Sequence, residues 1–294
     1  MAHANPLVLT PEHPDFPIAV RAMGKPPSRI FLNGTLPRGR ALAIVGTRRA
    51  TAPALRFAHD LASRLCQAGW SVWSGGAAGI DSAAHEGALI SGGKTVVVMG
   101  TGFDHLYPAS NAPLFRRVLD AGGAWLSPYP PDQVGTRWSF LARNELLASL
   151  VDHVVVVQAP ARSGARSTMA AGRRMGKTTW AVPASPWDRT AEGCLLEVAA
   201  GARVLCYPEQ ILGLPRPRSR AGLPNLSAQE RAVVEAVMHC PAHLDTICDQ
   251  TGLSAAQASA AALTLTLKRV LLESADGLYH LDSRHEMKET ANPR

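Results

Sequence analysis

The residue types here that could do chemistry are arginines, serines and glycines gathered in three short turns. The first, Gly46-Thr47-Arg48, offers backbone N–H groups, a hydroxyl and a guanidinium just ahead of a helical stretch. Phosphate is bound by that combination of unpaired donors, a positive helix end and a bidentate cation. The same residues also suit an ordinary tight turn with a surface arginine, and this turn alone does not separate the two. The second, Ser74-Gly75-Gly76, runs on through Ala77-Ala78-Gly79. Three glycines among small residues let a ligand or another backbone approach to contact distance, whereas packing a helix on a strand needs one. The third is Arg162-Ser163-Gly164 with Arg166. From Gln158 to Trp180 there is no acidic residue, while Arg162, Arg166, Arg173, Arg174 and Lys177 are basic. An uncompensated positive cleft is expected there, although a solvated helix face also accounts for Arg173 and Arg174. Before it, Arg137-Trp138-Ser139-Phe140 is followed by Arg143-Asn144. Aromatics set between cations hold single strands without sequence preference, but aromatic side chains are more often core.

Other chemistries find less support. Asp81 and His85 stand four apart on a helix, yet no third metal ligand is legible near them. Asp81 reads as a charge favoured by a helix N-terminus, His85 as a packed or hydrogen-bonded side chain, and Asp104 and Tyr107 as orienting groups. No catalytic residue and no metal ligand is assigned. The absence of G-x-G-x-x-G argues against a dinucleotide, and that of G-x-x-x-x-G-K-[ST] against an NTPase, so no cofactor is expected.

The elements that position these turns follow from the apolar pattern. Leu42 to Val45 is a short buried strand. Pro53 opens a helix in which Ala54, Phe57, Ala58, Leu61, Ala62 and Leu65 share a face, and Gly69 ends it. Ser71 to Trp73 is the next strand, with a helix starting near Ile80. Further strands are expected at 95–99, 124–126, 154–157, 180–182 and 203–205, with helices at 114–119, 140–150, 164–175 and 194–199. Strands alternating with helices mean an α/β fold with a doubly wound, mostly parallel sheet, Rossmann-like in type. All three turns then fall at one edge of that sheet, where such folds bind ligands.

The 294 residues allow one sizeable domain and a small one. Residues 1–40 read as an extension packed on the main domain, 41–213 as that domain and 214–224 as a linker rich in proline and arginine. Residues 225–282 read as a small winged-helix domain. It has a capping box at Ser227 and Glu230, a third helix capped by Ser254 with Leu263 and Leu267 on one face, and a hairpin with a type I′ turn at Asp276-Gly277. Residues 283–294 form a polar tail. The net charge of +7 suggests an anionic partner without identifying it. The five cysteines, Cys66, Cys194, Cys206, Cys240 and Cys248, form no C-x-x-C pair and read as reduced thiols. With no signal peptide and no run long enough to span a bilayer, a soluble cytoplasmic protein without a membrane partner is expected.

Taken in order, IVGTRRAT, SGGAAGIDSAAHEGAL, VVMGTGFDHLYP, FLARNELLASL, VVVVQAPARSGA and AVPASPWD resemble the DNA-processing DprA (Smf) family over residues 5 to 282. The resemblance implies a Rossmann-like domain that binds single-stranded DNA with no enzymatic step. It also implies a recombination mediator that loads RecA onto incoming strands in natural transformation and works as a homodimer. Carried over by position, the phosphate loop is Gly46, Thr47 and Arg48 with Ser74, Gly75 and Gly76 beside it. The base-packing aromatic is Phe140, followed by Arg143 and Asn144, and the Ser-Gly turn is Ser163 and Gly164. No sterile alpha motif, which some members carry at the N-terminus, is expected within residues 1–40. Many members have a basic residue where Ala78 stands and arginine where Glu145 stands. The usual S-G-[ST]-L-I-T reads Ser163 to Thr168, and the glycine after Val-Pro is Ala184. These changes are expected to weaken strand binding, with Arg166 offsetting part of the loss.

A rival resemblance is to the LOG-type phosphoribohydrolases, which cleave nucleoside monophosphates and need a catalytic glutamate in the helix after a P-G-G-x-G-T loop. The helix from Gly164 to Met175 has no carboxylate. A nucleotide-sensing module is a third reading. The third winged-helix segment has no cation before Lys268, which argues against reading of duplex sequence.

Overall fold

Short runs of two to five residues, most of them apolar, assemble into one nine-stranded sheet. The computed structural model describes residues 6–21, 23–215, 226–238, 241–274 and 276–282. The chain divides into two units, 1–216 and 217–294. The first carries β1 (Leu7–Leu9), α1 (Ile18–Arg21), β2 (Ile30–Gly34), β3 (Ala41–Val45), α2 (Ala52–Gln67), β4 (Ser71–Ser74), α3 (Ile80–Ile90) and β5 (Thr95–Val98). It continues with α4 (Ala112–Asp120), β6 (Ala124–Ser127), α5 (Arg137–Ser149), β7 (His153–Val156), α6 (Gly164–Arg174), β8 (Thr178–Ala181), α7 (Glu192–Ala199) and β9 (Arg203–Val204).

The strand order is β1-β2-β6-β5-β4-β3-β7-β8-β9. From β6 to β9 every neighbouring pair is parallel, while β1–β2 and β2–β6 are antiparallel. The fold is therefore the doubly wound, mostly parallel sheet expected from the alternation. β3 through β6 are buried at every position, because helices cover both faces and leave no wet side to alternate against. Leu61, Leu65, Ala84 and Ala88 of α2 and α3 pack one face, and Leu146, Leu147 and Met169 of α5 and α6 pack the other. Successive strands leave β3 in opposite directions, so the sheet's switch point, and with it a crevice, lies beyond the carboxyl ends of β3 and β7.

Three details depart from expectation. α5 starts at Arg137 rather than Phe140, because Thr136 caps it: the Ser139 amide donates to Thr136 Oγ1 (3.1 Å) and the Thr136 amide to Ser139 Oγ (2.8 Å). Arg143 to Glu145 therefore sit in mid-helix. β1 is too short, and Leu7 and Val8 too exposed, to leave a sequence signal.

The second unit holds α8 (Ala228–Val237), α9 (Leu244–Thr251), α10 (Ala255–Leu267) and the hairpin β10 (Leu271–Glu273) with β11 (Tyr279–Leu281). Three helices and a hairpin give the expected winged-helix architecture. The Ser227–Glu230 capping box is present, and Val233, Val234 and Val237 form its core. The third departure is the hairpin turn. Ser274 pairs with Leu278, the Gly277 amide donates to the Ser274 carbonyl, and Gly277 has φ 78°. The loop is thus three residues with a left-handed glycine at its end, not the two-residue type I′ turn. Leu263 and Leu267 share a face as expected, but that face is exposed.

Among the described residues the cysteines are free thiols, and burial pushes Cys66 and Cys194 up to about 11. No described helix is long and apolar enough to cross a membrane. The expected linker beyond Pro215, the tail 283–294 and Cys240 lie outside the described residues.

Candidate nucleic-acid interface

The loop after β3 is pinned from below. A side chain at Gly46 would collide with Ile80 (2.5 Å) and the Gln158 carbonyl (2.9 Å). The Thr47 amide donates to that carbonyl (2.7 Å), and the Arg49 amide to Thr47 Oγ1 (3.2 Å). Two donors of this turn are thus already used, and what it presents outward is cationic. Arg48 and Arg49 are exposed. The Arg48 guanidinium lies 5.6 Å from the centre of the Tyr107 ring and donates to its hydroxyl (3.4 Å).

The loop after β4 is shaped by two buried charges. Asp81, in the first turn of α3, accepts from the amides of Gly75 (3.1 Å) and Ala77 (3.3 Å). Arg143 is 7% exposed and donates to the carbonyls of Gly75 and Val98, each at 2.6 Å. Its guanidinium fills the space where a Cβ on Gly75 would stand, which is why that position needs glycine. Burial raises the Asp81 pKa and lowers that of Arg143, and each charge opposes the other's shift. Ser74 is buried and donates to the Ile44 carbonyl (2.6 Å). Gly76, at φ 71°, faces the Phe115 ring. Of this turn only Gly75 and Ala77 reach the cleft; Ser74 and Gly76 support it from within, and Arg143 is its floor rather than a free cation.

The loop after β7 corrects the expected electrostatics. Ser163 caps α6, its hydroxyl accepting from the Ala165 amide (3.3 Å). Asn144 ties α5 to the same turn by donating to Ser167 Oγ (2.7 Å) and the Gly164 carbonyl (3.3 Å). Arg166, however, pairs with Glu197 (2.7 Å) and the Ala161 carbonyl (2.7 Å), and Arg173 takes the other Glu197 oxygen. Arg174 pairs with Glu145 (2.8 Å), and Lys177 donates to the Ser149 carbonyl (3.0 Å). The basic run is therefore compensated, by carboxylates on α7 and α5. Arg162 alone among its arginines stays exposed without a carboxylate among the described residues.

What converges is a cleft of about 980 Å³ lined by all three turns and α5. Arg48, Arg49, Arg137 and Arg162 are its exposed cations, and buried Asp81 is its only carboxylate among the described residues. Phe140 is half-buried on one wall, its ring 5.3 Å from that of Tyr107 and 5.9 Å from the Arg143 guanidinium. Tyr107, expected only to orient, is 47% exposed and completes an aromatic face. No local sequence signal marks it. Gly46, Thr47, Gly75, Arg137, Phe140, Arg143, Asn144, Arg162, Ser163 and Gly164 line the cleft; Ser74, Gly76 and Arg166 do not. Glu145 is also absent from the lining, so its anion does not oppose a strand there. Trp138 is exposed outside it. His85 is fully buried, hydrogen-bonded to Thr95 Oγ1 (2.7 Å), and held at a pKa of about 3 by burial. It does not form an acid–base pair with Asp81, whose oxygen is taken by loop amides.

Comparisons with known proteins find relatives of this chain in sequence and in fold. The family model described as DNA recombination-mediator protein A matches residues 7–214, and that described as DprA winged helix domain matches residues 216–277. Protein Smf of Synechocystis is 36% identical over 214 residues, covering 71% of this chain and 54% of its own length. The chain thus spans about half of that relative. The X-ray structure of DNA processing protein A from Streptococcus pneumoniae superposes with a TM-score of 0.66 at 27% identity, covering 74% of this chain and 76% of that one. The Helicobacter pylori DNA processing protein A, from a structure titled for its single-stranded DNA binding mode, superposes with a TM-score of 0.62 at 28% identity. That match covers 70% of this chain and 94% of the other.

Proposed function

This chain belongs to the DNA recombination-mediator protein A (DprA/Smf) family, and from that premise we propose that it holds single-stranded DNA in the cleft beyond β3 and β7. The observation that carries the reading is the cleft's lining: four exposed arginines beside the Phe140–Tyr107 face, with one carboxylate among the described residues, buried in the floor. Phosphates meet Arg48, Arg49, Arg137 and Arg162, a base stacks on the aromatic face, and no group is placed to break a bond. Such a site grips a strand through charge and stacking without reading its sequence. The mediator role follows the family: a cytoplasmic homodimer that hands incoming strands to RecA in natural transformation. The α10 face has no cation before Lys268, so the winged helix serves protein contacts or a secondary DNA contact rather than duplex reading. Truncation after Leu214 is then expected to leave strand binding in place.

The test is a mobility-shift titration of the full chain with single strands of graded length, using duplex and AMP as competitors. Preference for longer single strands, with neither competitor effective, supports the reading. Tight AMP binding without length preference overturns it in favour of nucleotide sensing, and release of the base from AMP overturns it in favour of a phosphoribohydrolase.

A further inference from the structure

Of the six tryptophans, Trp70, Trp73, Trp125 and Trp180 are buried, and two are not: Trp138 at 77% and Trp187 at 83% exposure. Both follow carboxyl ends of sheet strands, one at the start of α5 and one in the loop 182–191 after β8, so both stand on the rim that carries the cleft. A lone exposed apolar side chain needs no explanation. Trp187 differs because its loop is braced against Gln158, whose carbonyl also holds the Thr47 amide of the cleft, and carries the exposed cation Arg189. Gln158, 4% exposed, accepts from the Thr51 amide (2.9 Å) and donates to Thr190 Oγ1 (2.7 Å). The Gly193 amide donates to the Ala159 carbonyl (2.8 Å), anchoring the loop's far end to the residue that follows Gln158. Two residues, Asp188 and Arg189, separate Trp187 from Thr190, so the three Cα steps between them reach about 11 Å at most. Arg189 is exposed, as is Arg162 in the loop after the neighbouring strand β7, and neither has a carboxylate partner among the described residues. The loop's own carboxylate, Asp188, accepts from the amide (2.9 Å) and hydroxyl (2.6 Å) of Thr190 on its Oδ1, while Glu192 lies in the first turn of α7.

We propose that the strand does not end at Arg162 but continues over the loop after β8, where a base stacks on Trp187 and Arg189 meets a phosphate. This rests on the cleft being a single-strand site and extends its footprint by a second stacking platform outside it. An indole offers a large flat face at little entropic cost, and stacking suits any base. A platform outside the cleft is reached only by strands long enough to cross Arg162, so its contribution depends on length.

The experiment compares the full chain with Trp187→Ala, Trp187→Phe and Arg189→Ala, by fluorescence anisotropy on oligothymidylates from about 4 to about 24 nucleotides. Thermal melting checks each fold. Expected is an unchanged Kd for the shortest strands that bind and a 5- to 150-fold weaker Kd for long strands in Trp187→Ala, the range of about 1–3 kcal/mol for one stacked base. Trp187→Phe recovers most of the loss. Arg189→Ala flattens the salt dependence for long strands only, by about 0.7 in log–log slope. Unchanged affinity at every length, or an equal loss at all lengths, overturns the platform while the cleft stands. Failure of the unsubstituted chain to bind any single strand overturns the cleft and the platform together.

Discussion

Arginines equal in sequence are unequal in the fold, and that inequality predicts how affinity responds to salt. Arg48, Arg49, Arg137 and Arg162 face the cleft exposed. Each phosphate neutralised on a single strand contributes about 0.7 to the log–log salt slope, so four contacts give about −2.8, and a fourfold rise in salt weakens binding roughly 50-fold. Arg48→Ala is expected to flatten the slope to about −2.1 for every strand sequence alike. Arg166→Ala is expected to leave it unchanged, because that guanidinium is already paired with Glu197, whose side chain is 1% exposed. Arg143→Ala acts on the fold instead. It strands the carbonyls of Gly75 and Val98, at about 1–3 kcal/mol for each buried unsatisfied group, or about 2–6 kcal/mol in all. The assay is anisotropy across a salt series, with urea unfolding of each variant beside it. A flattened slope in Arg166→Ala with an unchanged one in Arg48→Ala refutes the reasoning, as does an Arg143→Ala protein of undiminished stability.

Two further outcomes are expected. Phe140→Ala weakens single-strand binding by about 1–3 kcal/mol with an unchanged salt slope; an unaltered Kd removes the ring from the site. His85 titrates near 6.5 when unfolded but is held at about 3 when folded, so on acidification the unfolded chain takes up a proton that the folded chain refuses. Stability therefore falls as pH drops below 6.5, by roughly 2 kcal/mol at pH 5, and His85→Gln is expected to remove that share of the decline in urea midpoints. An identical pH profile in that variant counts against it.

The parallel strands were legible because buried parallel strands are continuous apolar runs, and Val154 to Val157 could hardly be anything else. The convergence of the three turns was legible for the same reason: alternation of strand and helix sends every such turn to one rim. Which arginines would be free was not. Glu197 lies 31 positions from Arg166 and 24 from Arg173, and no local window contains all three. The burial of Arg143 was hidden likewise, since its partners Gly75 and Val98 stand 68 and 45 positions away. Tyr107 gained its place from Phe140 on a helix far along the chain.

The neutral amide of Gln158 has a thermodynamic consequence. By clasping the start of α2 with one atom and the loop after β8 with another, it ties that outer loop to the segment that follows the Arg48 turn before any ligand arrives. Ordering of these segments is then settled during folding rather than charged against association, so a larger share of each stack and ion contact survives as affinity.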